Sequence, residues 1–212
     1  MSISNESRGR IKAIFEPIAL AMGRAGLTPN ALTLIGFAIT TVGAVLVGLQ
    51  LWVIGGIVVF LGGVFDMFDG TLARATGQAS PLGAFMDSVF DKLGEIIVFL
   101  GVIAGLLAVG AADVPILVAA AAMGAAIMVS YARAKSDGLG YSSGMGLAAV
   151  GVMPREVRLV IISIGIVLTG TTLGTSAIEF ALGVILVGSV ITVIQRIRFV
   201  RSQARSGTPS NQ

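Results

Sequence analysis

Long apolar runs separated by short polar breaks make up most of the 212-residue chain. A transmembrane helix needs about 20 mostly apolar residues, and we identify six candidate runs. They are residues 31–49, 51–67, 82–109, 115–132, 157–169 and 177–194. The fifth run is the shortest, and its ends are the least sharply marked. The pattern predicts an all-α integral membrane protein with six transmembrane helices.

The two ends of the chain differ from these runs. Residues 1–30 mix basic and apolar side chains around Pro17, with no cleavage site after a clean apolar core, which argues against a signal peptide. This mixture is typical of an amphipathic juxtamembrane helix lying in the lipid headgroup layer. Residues 201–212 are mostly polar and are predicted to form a disordered tail. We therefore divide the chain into an N-terminal segment (1–30), a six-helix membrane domain (31–200) and a tail (201–212).

The Lys and Arg residues predict the orientation of the helices. With six spans, the connections at 49–51, 110–115 and 170–176 lie on one side and contain no Lys or Arg. All 14 basic residues fall on the other side. Because basic residues accumulate at the cytoplasmic face, both termini are predicted to lie in the cytoplasm, with the protein in the inner (cytoplasmic) membrane.

The composition limits the kinds of metal site and catalytic site that the chain can form. Only 12% of the residues are charged and the mean hydropathy is +0.96, whereas soluble domains carry about 25% charged residues. The chain has no cysteine and no histidine, which excludes disulfides, thiolate or imidazole metal sites and a Ser–His–Asp triad. The pI of about 9.8 fits an anionic membrane surface better than nucleic acid, because the basic residues flank apolar spans. Catalysis would have to use carboxylates, Lys, Arg, Tyr, hydroxyls and bound ions.

Four aspartates lie close together between the second and third runs. Asp66 and Asp69 are three residues apart, and Asp87 and Asp91 are four apart, so each pair shares one face of a helix. Gly, Ser and Pro at 77–81 predict a turn that brings the two helices back antiparallel. The facing carboxylates would repel one another unless divalent cations neutralised them, and oxygen ligands favour Mg²⁺, Mn²⁺ or Ca²⁺.

The segment from Asp66 to Asp91 resembles the signature of the CDP-alcohol phosphotransferase family. It reads D-x2-D-G-x2-A-R-x8-G-x3-D-x3-D, with all eight fixed positions at the family's spacing. Six spans with both termini inside also agree with the family's architecture. The resemblance implies a membrane enzyme that moves a phosphatidyl group from a CDP-linked lipid such as CDP-diacylglycerol to an alcohol and releases CMP. It also implies a homodimer with two metal ions per active site, Mg²⁺ with Mn²⁺ as an alternative.

The resemblance also assigns roles to individual residues. It implies that all four aspartates bind metal and that Asp91 is the base that acts on the acceptor hydroxyl. It implies donor or nucleotide binding by six residues: Asn30, Thr33, Gly70, Ala73, Arg74 and Ser80. For Asn30, capping of the first transmembrane helix is an equally good interpretation.

A basic cluster is expected at the same membrane level as the aspartates. It predicts a phosphate site for the acceptor, because arginine binds phosphate through two parallel hydrogen bonds; the candidates are Arg133, Lys135, Arg155 and Arg196. The positive-inside rule alone would also place basic residues at these helix ends. The segments "ARAKSDGLG" and "MPREVRL" resemble those of bacterial phosphatidylinositol-phosphate synthases, whose acceptor is inositol 1-phosphate. An Arg-Pro-x-Arg arrangement is replaced here by Pro154-Arg155-Glu156-Val157-Arg158, which leaves glycerol 3-phosphate, and a phosphatidylglycerophosphate synthase, as an alternative.

Two further interpretations concern the whole chain. A membrane cation transporter could use the intramembrane aspartates, but it would not require Gly70, Ala73 and Arg74 in register with them. The glycines in "GVIAG" at 101–105 indicate close helix packing or a dimer contact.

Overall fold

The computed structural model describes residues 15–141 and 150–205, and every regular element in these ranges is an α-helix. Residues 15–24 form α1. The helices that follow are α2 (Pro29–Gly48), α3 (Trp52–Phe65), α4 (Met67–Ala75), α5 (Pro81–Ala108), α6 (Asp113–Gly138), α7 (Arg155–Thr169) and α8 (Thr175–Arg205). The prediction of an all-α protein is therefore confirmed for the described part of the chain.

Among the residues that the structure describes, four stretches of helix are long and apolar enough to cross a membrane. They are Pro29–Gly48, Trp52–Ala75, Asp113–Gly138 and Thr175–Arg205. The other two predicted spans also coincide with helices, α5 and α7. However, α5 carries Asp87, Asp91, Lys92 and Glu95 between its second turn and its midpoint, and α7 has only 15 residues. The chain is a multi-pass membrane protein with a helix at each of the six predicted positions.

Two helices continue beyond their predicted spans. α6 runs to Gly138 and α8 to Arg205, whereas the apolar runs stop at residues 132 and 194. Hydropathy detects only the part of a helix that suits the bilayer core, and Arg, Gln, Lys and Ala keep the backbone helical past that limit. Disorder was therefore the wrong prediction for residues 201–205. Residues 206–212 of the predicted tail, and 1–14 of the predicted interfacial helix, lie outside the described residues.

The main apolar core is shared by the long helices. Its completely buried members include Val47, Val59, Val102, Ile166 and Leu182, one from each of α2, α3, α5, α7 and α8. A second, smaller cluster joins α1 to α2 and α4 through Ala19, Leu32, Phe68 and Leu72. α1 therefore packs on the helix that carries the first aspartates.

Two glycines let α5 approach α2 closely. A Cβ at Gly101 would overlap the backbone of Ala44, and a Cβ at Gly105 would lie 2.7 Å from the carbonyl oxygen of Val47. Only glycine fits at such distances without moving one helix. The close packing predicted from these glycines is thus found within the chain, and their alternative use as a dimer contact stays a prediction.

Candidate active site

Three of the four aspartates converge. Asp66 lies at the junction of α3 and α4, Asp69 in the first turn of α4, and Asp87 in α5. One carboxylate oxygen from each lies within 4.8 Å of the other two. Three oxygen ligands from separate carboxylates suit a hard divalent cation such as Mg²⁺ or Mn²⁺. The donor set therefore fits the metal predicted from the sequence.

The turn between α4 and α5 produces this arrangement. Gly77 has φ +69°, a left-handed conformation that favours glycine. Ser80 then caps α5, with its hydroxyl accepting a hydrogen bond from the backbone N–H of Gly83 at 3.1 Å, and Pro81 is the first helical residue. The predicted turn is confirmed, and it brings Asp87 opposite Asp66 and Asp69.

The Asp69 carboxylate is held by hydrogen bonds to both of its oxygens. The hydroxyl of Thr33 donates to Oδ2 at 2.5 Å, and the backbone N–H of Gly70 donates to Oδ1. Asp69 and Thr33 are only 5% and 3% exposed. Buried donors of this kind orient a metal ligand before the metal arrives. Thr33 was predicted to bind nucleotide, but its hydroxyl is directed at Asp69.

The fourth aspartate, Asp91, is engaged differently. Its Oδ1 forms a 2.7 Å ion pair with Nη2 of Arg155, while Nη1 of the same guanidinium donates to Oδ2 of Asp66 at 2.9 Å. Asp91 does not belong to the converging group of three found among the described residues. Arg155, predicted only as an acceptor-binding residue, thus links two of the predicted metal ligands.

All six residues predicted to bind the donor line one cavity. It is bounded by the start of α2, by α4 and by the start of α5, and it opens beside Asp69 and Asp87. A Cβ at Gly70 would lie 3.2 Å from Nη1 of Arg74, so glycine leaves room for that guanidinium. Thr28, rather than Asn30, caps α2 by accepting from the backbone N–H of Ala31 at 3.2 Å. The capping interpretation of Asn30 was therefore wrong.

A second cavity lies on the other side of Asp87 and Asp91. Four arginines line it, from α6, α7 and α8: Arg133, Arg155, Arg158 and Arg196. Lys135 is exposed and is not part of this lining. Each residue of an α-helix is rotated by about 100° from the one before it. Lys135, two positions after Arg133, therefore points about 200° away from Arg133, which lines the cavity.

Two of these arginines are fixed by protein groups. Arg196 is 4% exposed and donates to the backbone carbonyls of Val150, at 3.1 Å, and of Val129. Arg158 is 2% exposed; its Nε and Nη2 donate to the carboxylate of Glu95 at 2.6 and 3.1 Å. These contacts occupy much of the hydrogen-bonding capacity of both guanidinium groups. Arg133 is more than half exposed and pairs loosely with Asp137 at 3.8 Å.

Sequence reasoning missed Glu95. The residue continues the stripe of Gly83, Asp87 and Asp91 by one more step of four residues, so it lies on the same face of α5. That continuation was the available signal. Its partner Arg158, 63 residues away in the chain, could not be identified from spacing.

Comparisons with known proteins agree with the geometry. Residues 26–195 match the family model for CDP-alcohol phosphatidyltransferase. The archaetidylinositol phosphate synthase of Pyrococcus horikoshii is 32% identical over 94% of this chain and 97% of its own length. The phosphatidylinositol phosphate synthase of Mycobacteroides abscessus is 32% identical, covering 92% of this chain and 87% of the relative.

Solved structures of one related enzyme also match. The Mycobacterium tuberculosis phosphatidylinositol phosphate synthase with CDP-DAG bound has a TM-score of 0.77 and 27% identity, covering 89% of this chain and 94% of that one. The same enzyme in complex with manganese and citrate has a TM-score of 0.78 and 28% identity, covering 89% of each chain. The aspartate signature, the fold and the full-length similarity together make this chain a member of the CDP-alcohol phosphatidyltransferase family, a family of membrane transferases.

Proposed function

We propose that the chain transfers the phosphatidyl group of CDP-diacylglycerol to a hydroxyl of 1D-myo-inositol 1-phosphate, giving phosphatidylinositol phosphate and CMP in phospholipid biosynthesis. One observation carries the proposal. Asp87 lines both the cavity that holds the six predicted donor residues and the cavity lined by four arginines. A lipid-linked pyrophosphate on one side can therefore meet a phosphorylated alcohol on the other.

The relatives support this choice of acceptor. Several bacterial enzymes about one-third identical to this chain are named phosphatidylinositol phosphate synthases. Glycerol 3-phosphate would need the same kind of basic cavity, but no observation favours it. A cation transporter is not supported either, because the family is one of transferases and the glycine, alanine and arginine of the signature all line the donor cavity.

We assign the donor side to the cavity between α2, α4 and α5. Asn30 and Ser80 lie where the cytidine end would enter, and Gly70 and Ala73 leave space for the nucleotide. Arg74, which lines both this cavity and the cleft containing all four aspartates, would contact the donor's phosphates. Thr33 acts there mainly through Asp69. The related enzyme with CDP-DAG bound supports this assignment.

We propose two Mg²⁺ ions per active site, with Mn²⁺ as an alternative. Asp66, Asp69 and Asp87 would hold the first, and Asp91 would contribute to the second. Such ions, when bound, neutralise the pyrophosphate and stabilise the charge that develops on the leaving phosphate. The manganese complex of the related enzyme supports the choice of metal.

Each residue of the site would have a separate role in the reaction. Asp91 takes the proton of the acceptor hydroxyl, and that oxygen attacks the lipid-proximal phosphorus. The new P–O bond forms as the bond to the CMP phosphate breaks in line with it, so no covalent intermediate with the protein is required. Arg133 and Arg155 would bind the acceptor's phosphate, while Arg196, held by backbone carbonyls, shapes the cavity wall.

We further propose that all six long helices, including α5 and α7, cross the inner (cytoplasmic) membrane and form the catalytic domain. Both termini and the aspartates would face the cytoplasm, with the helix that includes α1 lying in the headgroup layer. The absence of Lys and Arg from the three opposite connections supports this orientation. We also infer a homodimer, as implied by the family resemblance.

The decisive experiment is an acceptor panel. Purified protein in detergent would receive CDP-diacylglycerol, Mg²⁺ and one of inositol 1-phosphate, glycerol 3-phosphate, inositol or serine, with CMP release as the readout. We expect CMP with inositol 1-phosphate and little with the others. CMP release with glycerol 3-phosphate alone would overturn the acceptor assignment, and none with any acceptor would overturn the proposed activity.

A further inference from the structure

Arg155 contacts two functional regions at once. Its guanidinium bridges Asp66 and Asp91 at 2.9 and 2.7 Å, and these carboxylates are only 13% and 16% exposed. The same side chain lines the arginine-rich cavity, together with Arg133 and Arg196. It is the first residue of α7, and Asp87 and Asp91 line the same cavity.

The first contact puts Arg155 in competition with a metal ion. Asp66 is one of the three converging carboxylates, and the same carboxylate accepts a hydrogen bond from Arg155 through its Oδ2. A guanidinium and a divalent cation a few ångströms apart repel strongly where water is scarce. Metal bound by Asp66 and Asp91 must therefore weaken the hold of these residues on Arg155.

The arginine-rich cavity can accept the Arg155 side chain when it leaves the aspartates. Arg158 is committed to Glu95, and Arg196 to backbone carbonyls, so neither is held by the aspartates. Arg155 alone among the four arginines of the cavity pairs with predicted metal ligands. An anionic phosphate in the cavity would attract its guanidinium away from Asp66 and Asp91.

We propose that Arg155 is a two-position switch that couples metal binding to binding of the acceptor's phosphate. The inference rests on the proposed function for the identity of the acceptor. Either ligand favours the position of Arg155 that suits the other, so each tightens the other's binding by the same factor. An unphosphorylated polyol cannot attract the guanidinium and therefore leaves metal affinity unchanged. The switch thus contributes to selectivity for phosphorylated acceptors.

The test measures metal binding rather than turnover. Mn²⁺ would be titrated into the full-length protein in detergent and followed by electron paramagnetic resonance. The additions are none, inorganic phosphate, inositol 1-phosphate or inositol, and affinities are calculated from free Mn²⁺. We expect both phosphate compounds to tighten Mn²⁺ binding about ten-fold, within the usual range of coupling between sites. Inositol should have no effect.

Two variants identify the side chain responsible. Arg155→Gln should bind Mn²⁺ more tightly than the parent without any anion, and phosphate should no longer change its affinity. Arg198→Gln removes a basic charge from an exposed position of α8 and should keep the coupling. If phosphate still tightens Mn²⁺ binding to Arg155→Gln, the anion acts on the metal directly and the switch is overturned.

The parent protein alone keeps the proposal falsifiable should Arg155→Gln not fold. Equal Mn²⁺ affinity with inositol and with both phosphate compounds would overturn the coupling. Failure of the proposed function would look different. Coupling to inorganic phosphate without CMP release from inositol 1-phosphate would retain the switch and reject the acceptor.

Discussion

Asp69 and Asp91 look equivalent in the sequence, yet their surroundings differ. Asp69 is buried and accepts hydrogen bonds from Thr33 and from the N–H of Gly70. Asp91 instead faces the guanidinium of Arg155. Neutral donors fix a carboxylate without cancelling its charge, whereas a cation competes for it. Asp69 is therefore suited to a permanent ligand role and Asp91 to a role that changes during the reaction cycle.

The hydroxyl of Thr33 can be tested by an isosteric change. Thr33→Val keeps the shape of the side chain but removes the hydrogen bond to Asp69, leaving the carboxylate less well oriented. Loss of such a supporting contact typically weakens metal binding about 10–100-fold, and we expect a loss in that range by Mn²⁺ titration. Thr41→Val, in the same helix but bonded only to the carbonyl of Phe37, is the matched control and should leave the affinity unchanged.

Asp91→Asn tests the proposed base. The amide has the same size but cannot take a proton from the acceptor hydroxyl, so CMP release should fall by about 10²–10⁴-fold. Binding of CDP-diacylglycerol, measured by protection against thermal unfolding, should remain detectable because the donor cavity does not include Asp91. Asp113→Asn, at the opposite end of the helices, serves as the control. Substantial turnover in Asp91→Asn would assign the base elsewhere.

Local spacing was enough to predict part of this site. The i, i+3 and i, i+4 intervals identified the aspartate faces, and the turn signals brought them together. Spacing could not predict which residue, distant in the sequence, each side chain contacts in the fold. Arg155 bonds aspartates 64 and 89 residues away, and such pairings depend on how helices are arranged rather than on any local pattern. Lys135 is exposed and lies outside the lining of the arginine-rich cavity, because proximity in sequence to Arg133 does not mean a shared helix face. Its role in binding the acceptor stays a prediction.

Among the helices, α7 depends on polar contacts more than its length suggests. α5 packs mainly on α2 and α6, while α7 packs on α3 and α8. Arg158 reaches from α7 to Glu95 of α5 through two hydrogen bonds and also donates to the carbonyl of Met153 at 2.8 Å. This buried pair fixes the start of α7 and, one turn earlier, the position of Arg155.

Removing one member of the Glu95–Arg158 pair should lower the stability of the protein. Glu95→Met leaves the Arg158 guanidinium buried without its carboxylate, and we expect it to lower the free energy of unfolding by about 3–5 kcal/mol. Arg158→Met should cost less, because Nζ of Lys92 still lies 3.1 Å from the Glu95 carboxylate. The double variant should lose clearly less than the sum, because it leaves no fully buried charge unpaired, and Lys92, which loses Glu95, is partly exposed. Unfolding by SDS can be followed through Trp52, the chain's single tryptophan, which is 8% exposed.

An exposed ion pair provides the control for this cycle. Arg133 and Asp137 are 55% and 45% exposed and 3.8 Å apart, so Arg133→Met should cost less than about 1 kcal/mol. Strictly additive losses for Glu95→Met and Arg158→Met would show that the two residues act independently.

Helix positions were predictable to within a few residues except at the basic ends. The apolar runs located the buried middle of each helix, because burial in lipid requires apolar side chains throughout. They could not locate the ends of α6 and α8, where polar helix formers continue the backbone into the headgroups. They also could not separate α4 from α3, because Asp66 itself keeps a helical backbone conformation (φ −56°, ψ −27°) and is the single residue between the two helices.

At the scale of the whole molecule, α5 is the wall shared by two half-sites. The donor cavity uses α2, α4 and the first turns of α5, and the arginine-lined cavity uses α5, α6, α7 and α8. The aspartates lie where the two meet. Under the proposed function, the N-terminal half of the fold would bind the lipid-linked nucleotide and the C-terminal half the water-soluble alcohol.

This division requires α5 to cross the membrane, although its charged first half keeps it out of the four stretches that qualify by length and composition. The side of the membrane on which the connection after α5 lies shows whether α5 crosses. If α5 crosses, Ala112 lies outside the cell; if α5 stays at the cytoplasmic surface, Ala112 lies on the same side as the aspartates. The chain has no native cysteine, so single cysteines can be introduced and labelled without removing others.

We therefore predict the labelling of three exposed positions in spheroplasts treated with a membrane-impermeant maleimide. Ala112→Cys and Thr172→Cys should react in intact spheroplasts, and Ser202→Cys only after permeabilisation. Each variant should retain CMP release, since none of the three residues lines a cavity near the aspartates. Protection of Ala112→Cys with labelling of Thr172→Cys would restrict the crossing helices to four. The loop between α6 and α7 would then lie outside the cell, so donor and acceptor would have to reach the aspartates from opposite faces of the membrane. That arrangement is incompatible with two cavities that share α5 as a wall.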